Sequence, residues 1–76
     1  MSKFAIRLRK LRHEQNKTIS QVERETGISR SKLGEYELDK HQPSIFMAEI
    51  LADYYHVSLD YLVGRTDKSC ITVNQK

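Results

Sequence analysis

The chain has 76 residues, enough for one domain that buries about 60% of its extended surface, so the core must be compact and built from nearby segments. Its formal net charge of +3 is small but uneven: residues 1–43 carry ten Lys/Arg against six Asp/Glu, whereas residues 44–64 carry Glu49, Asp53 and Asp60 and no Lys or Arg. A lone Cys70, three scattered histidines (His13, His41, His56) and the lack of a glycine-rich phosphate loop argue against a disulfide, a metal site, a cofactor and an enzyme, and favour a reducing, cytoplasmic setting.

Phe4, Leu8 and Leu11 recur at helical spacing among basic residues, which predicts an amphipathic helix running to about Asn16. No signal-peptide core and no membrane span are expected. Thr18 and Gln21 fit a capping box, predicting a second helix over 19–26 that Gly27 stops. Ser29 caps a third helix ending near Leu38, with Leu33 and Tyr36 on its apolar side. Residues 39–43 read as a loop because Pro43 disfavours helix before it. Ser44 opens a fourth helix whose apolar face is Ile45, Ala48, Leu51, Ala52 and Tyr55, and His56 takes the left-handed position after it. Ser58 caps a short fifth helix with Leu59, Leu62 and Val63, closed by Gly64. Tyr54, Tyr55 and Tyr61 read as core and rim, not as a stacking platform. The expectation is an all-α domain over 1–64 with a tail over 65–76, where Ile71-Thr72-Val73 is a faint strand-like alternation.

Two short helices joined by a tight glycine turn form a helix-turn-helix pattern. The run TISQVERETGISRSKLGEYELDKHQPSI, followed by LADYYHVSLDYLVG, resembles the phage repressor and Cro group, the XRE family, over about residues 4–64. The matching residues are Gly27, Ile28, Leu33, Tyr36, Glu37, Pro43 and the final VSLDYLVG. The resemblance implies a lambda-repressor-like domain that lays its third helix, about 29–38, in the major groove of an operator in double-stranded DNA as a transcriptional repressor or switch.

At 100° per residue Leu33 and Tyr36 point one way, leaving Arg30, Ser31, Gly34, Glu35 and Leu38 on the free side. By resemblance Arg30, Ser31 and Glu35 are the base readers: arginine donates two hydrogen bonds to guanine O6 and N7, and glutamate accepts from cytosine N4. Gly34 either permits close approach to the groove or is a neutral surface position. The bland alternative makes Arg30 and Glu35 a solvated helix face, paired across a turn. Thr18 and Ser29 open helices whose free N–H groups suit phosphate, and by resemblance Lys32, Lys40, His41 and Gln42 meet the phosphate strand. Arg7, Arg9 and Lys10 are weaker phosphate candidates. Arg12 and Glu37 match a structural salt bridge of the family.

Three positions depart from the family pattern. Ile19 stands where relatives carry a phosphate-contacting glutamine. Glu23 replaces an alanine where helices two and three approach, so its carboxylate must turn aside or the helices must spread. Asp39 replaces a glycine after helix three, where a left-handed backbone is tolerable for aspartate but costs energy. The resemblance also implies a homodimer on paired half-sites about 34 Å apart, with Leu62, Val63, Ile71 and Val73 as contact candidates. The competing reading is an interaction module, an antitoxin or anti-repressor, that grips a protein partner.

Overall fold

The computed structural model describes residues 2–68. Five helices and no strand form among them: α1 (Lys3–Glu14), α2 (Ile19–Thr26), α3 (Arg30–Glu37), α4 (Ile45–Tyr55) and α5 (Leu59–Leu62). Every helix opens on a hydroxyl residue, Ser2, Thr18, Ser29, Ser44 or Ser58, whose side chain accepts from the backbone N–H three residues on. The capping box expected at Thr18 is half made. Its hydroxyl accepts from Gln21 N at 3.0 Å, but the Gln21 amide donates to Glu25 at 3.3 Å rather than folding back.

Three helices end on a left-handed residue that is not glycine: Asn16, Asp39 and His56, with φ of 57°, 62° and 61°. In each case the next N–H closes back on the helix, Lys17 to Arg12, Lys40 to Glu35 and Val57 to Ala52, at 2.8–3.0 Å. α1 itself ends at Glu14, two residues before the expected limit of about Asn16. Asp39 is held in place by its side chain, which accepts from Ser2 N at 2.9 Å and Ser2 Oγ at 2.8 Å. That bond ties the start of α1 to the α3–α4 turn and offsets the strain of the missing glycine. Gly64 is required twice over: its φ is 88°, and a Cβ there would lie 2.6 Å from Lys3 Cβ.

α3 packs on α1 and α2, α5 on α1 and α4, and α2 on α4. Leu8, Val22, Leu33, Leu51, Tyr55 and Leu62 fill the centre, and Phe4 meets Tyr36 edge-on at 5.8 Å. Two sequence expectations need correction. Ile45 is 57% exposed, because in the first turn of α4 the chain is still arriving from the loop and only Ala48, Leu51, Ala52 and Tyr55 face inward. Leu62 is fully buried in the core and is unavailable to a second copy, whereas Val63 stays exposed. Ile71 and Val73 lie outside the described residues, as does Cys70.

The beginning of the expected tail is tied down. Arg7 donates to the carbonyls of Tyr61 and Thr66, both at 2.6 Å, pairs with Asp67 at 2.7 Å and lies over the Tyr61 ring. No helix among the described residues is long and apolar enough to cross a membrane.

Hydrogen bonds from the Tyr54 hydroxyl and the Gln21 amide hold the Glu25 carboxyl below the usual range, and those from Ser2 do the same for Asp39. A carboxyl depressed in the folded state contributes stability above its unfolded pKa of about 4 and loses it as pH falls through the folded value. Urea unfolding followed by circular dichroism is therefore expected to weaken below about pH 4, and less so in the Glu25→Gln, Asp39→Asn variant. An equal acid loss in variant and parent would contradict this origin.

Candidate nucleic-acid interface

The α2–turn–α3 unit is set by local chemistry. Gly27, at φ 81°, ends α2 and donates to Glu23 O at 2.9 Å; buried Ile28 anchors the turn; Ser29 starts α3. Thr26 Oγ1 reinforces the corner by donating to Val22 O at 2.7 Å and accepting from Ile28 N at 3.2 Å.

Leu33, Tyr36 and Glu37 bury one side of α3. Arg30, Ser31 and Leu38 stand exposed on the other, with Gly34 and Glu35 partly covered, so the four residues expected to read bases share one outward face. A Cβ added to Gly34 meets nothing within 4 Å, so the protein's own packing does not require glycine there. Gly34 instead borders a shallow groove of about 220 Å³ shared with Arg9, Arg12, Ile19, Glu37 and Leu38.

The local Arg30–Glu35 pairing does not form. Arg30 turns toward α2, with its Nε 3.7 Å from Glu23 Oε1 and its Nη1 donating to Ser20 Oγ at 3.3 Å. Glu35 Oε1 lies instead 3.7 Å from His41 Nε2. The Glu23 carboxylate turns aside toward α3: its Oε2 accepts from Arg30 N at 3.0 Å, which satisfies one of the free N–H groups at the start of α3. The seven-residue interval from Glu23 to Arg30 across the turn was the available signal, and sequence reasoning passed over it.

All six expected phosphate contacts are exposed. Thr18 and Ser29 sit at the starts of α2 and α3, Lys32 on the first turn of α3, and Lys40, His41 and Gln42 just beyond its end. Arg7 must be removed from the weaker candidates, because its guanidinium is engaged with the backbone after α5. Arg9 and Lys10 are exposed, Lys10 lying 4.0 Å from Glu14.

Arg12 and Glu37 form a two-pronged ion pair, Nε–Oε2 at 2.7 Å and Nη2–Oε1 at 3.0 Å, with side chains 14% and 8% exposed. Arg12 Nη1 also donates to Lys17 O at 3.0 Å, fixing the α1–α2 turn. The Glu37 hydrogen bond raises the Arg12 pKa, and burial raises that of the adjacent Tyr55. This largely buried pair locks α1 to α3. No group of His, Cys, Asp and Glu among the described residues has the makings of a metal site.

A family model described as helix-turn-helix matches residues 8–62. The chain is 39% identical over 73 residues to an uncharacterised HTH-type transcriptional regulator, YobD, of Bacillus subtilis (strain 168). The match covers 96% of this chain and 65% of that protein, so the chain spans a little under two thirds of the relative's length. No solved structure matches the chain significantly.

Proposed function

The chain belongs to the XRE-type helix-turn-helix family, and from that premise we propose that it binds double-stranded DNA sequence-specifically, laying α3 in the major groove to repress or switch transcription. The observation that carries this reading is the outward face of α3, where Arg30, Ser31, Gly34 and Glu35 stand together between exposed hydroxyl caps and the exposed Lys40–His41–Gln42 segment. Arg30 reads guanine, Glu35 accepts from cytosine, Ser31 makes a lesser base contact, and Gly34 lets the helix backbone approach. Thr18, Ser29, Lys32, Lys40, His41 and Gln42 hold phosphates and set the register.

The protein acts in the cytoplasm as a homodimer on paired half-sites, since one short helix reads few base pairs. With Leu62 in the core, a second copy meets exposed apolar side chains of α4, namely Phe46, 71% exposed, with Ile45 and Ile50, and Val63 just after α5.

A salt titration tests the DNA reading against a protein-gripping role. Affinity for duplex DNA, measured by fluorescence anisotropy, is expected to fall with log salt at about −0.9 per neutralised phosphate, and Lys40→Ala to reduce the slope by about one unit. Absence of measurable duplex binding at about 50 mM salt would contradict it and turn attention to a protein partner.

A further inference from the structure

Arg30 does not extend freely from α3. Its backbone N–H donates to Glu23 Oε2 at 3.0 Å, its Nε lies 3.7 Å from Glu23 Oε1, and its Nη1 donates to Ser20 Oγ at 3.3 Å. One carboxylate on α2 thus accepts from the backbone N–H of Arg30 and lies within ion-pair distance of the side chain of the same residue across the turn. A guanidinium carries five N–H donors. Glu23 lies within ion-pair distance of Nε and Ser20 accepts from Nη1, which leaves Nη2 and the second Nη1 hydrogen without a hydrogen-bond partner among the described residues. Two parallel donors of that kind are what the O6 and N7 of guanine require.

An acid so close to the docking face has an electrostatic cost, because it repels phosphate wherever the protein rests on unrelated DNA. Capping the Arg30 N–H is one gain set against that cost. A carboxylate that limits the Arg30 rotamers also lowers the ordering entropy of base contact and penalises sites lacking the right base.

We propose that Glu23 is a positioning residue for sequence discrimination: it limits the rotamers of the Arg30 guanidinium at the α2–α3 corner, with Nη2 left for a base edge, while weakening attachment to DNA of any other sequence. The proposal rests on the DNA-reading role of α3. Arg24 and Lys32 supply positive charge on the same two helices and Lys17 on the turn before α2, but the only ion pair of Arg30 among the described residues is with Glu23.

The test uses the intact chain and the duplex it selects from a random pool, with a second duplex altered at the base pair that depends on Arg30. Glu23→Gln keeps an acceptor for the Arg30 N–H, so α3 stays capped, but it removes the charge that faces Nε. Its ratio of affinities for the two duplexes is expected to fall about tenfold, and its affinity for random duplex to rise several-fold. In an Arg30→Ala background the same substitution should leave the ratio unchanged, because the residue Glu23 acts through is gone. A purely structural Glu23 would lower the melting temperature and weaken both duplexes together, with the ratio constant; that outcome overturns the proposal and leaves the DNA reading intact. An equal fall in the ratio with and without Arg30 overturns it too. If the parent chain selects no duplex at all, the DNA reading fails and this proposal with it.

Discussion

Arg30→Ala is expected to abolish discrimination at one base pair in each half-site while leaving binding to unrelated duplex within a few-fold of the parent. The side chain is 66% exposed and contributes nothing to the core, so its loss leaves the fold untouched. A two-pronged arginine–guanine contact contributes about 1–3 kcal/mol of discrimination, and two half-sites double it to about 2–6 kcal/mol for a palindromic site. Competition binding with single-base variants of the selected site measures this directly. Retained discrimination at every position would exclude Arg30 as a base reader, whereas a uniform loss across all sequences would reassign it to phosphate.

Glu37→Ala is expected to have the largest effect on stability. Glu37 is the only charged residue buried among the described residues, and both its oxygens are held by Arg12. Removing it strands a guanidinium whose side chain is 14% exposed, at a cost of about 3–5 kcal/mol. Domains of this size have total stabilities of roughly 5–15 kcal/mol, so the loss takes a large share. At about 4–8 °C per kcal/mol, the melting temperature should fall by on the order of 15 °C or more. Replacing both partners with apolar residues, Arg12→Met with Glu37→Leu, should cost much less, because no charge is left unpaired. A single variant that melts within about 3 °C of the parent would show that solvent already compensates the pair. A DNA-binding defect of Glu37→Ala that tracks the fall in melting temperature follows from this loosening, although Glu37 also lines the groove that Gly34 borders.

The helices were legible because their ends are written in short-range chemistry. Hydroxyl caps at Thr18, Ser29, Ser44 and Ser58 and stop signals at Gly27, His56 and Gly64 depend only on a few neighbouring residues. The sides of α3 followed equally well, because Leu33 and Tyr36 decide what the other residues can do. What escaped depends on tertiary contact. Ile45 has an apolar side chain at a helical interval, and only the packing of the α3–α4 loop shows that it faces outward. Arg7 sits among basic residues in sequence, yet folds over Tyr61 to carbonyls that lie more than fifty residues on. Asp39 read as a poor substitute for glycine until the Ser2 contact gave its carboxylate a partner. Glu23 read as an obstacle for the same reason: its partner, Arg30, lies on the next helix.

The central claim is that the outward face of α3 reads base sequence in a paired arrangement. Selection from random duplex DNA at about 150 mM salt, run in parallel for the parent and Arg30→Ala, tests it most directly. The account predicts enrichment of a two-fold symmetric motif with half-sites about one helical turn apart, 10–10.5 base pairs between centres, and relaxation of one base pair per half-site in the variant. Enrichment of nothing above background by the parent chain would contradict it.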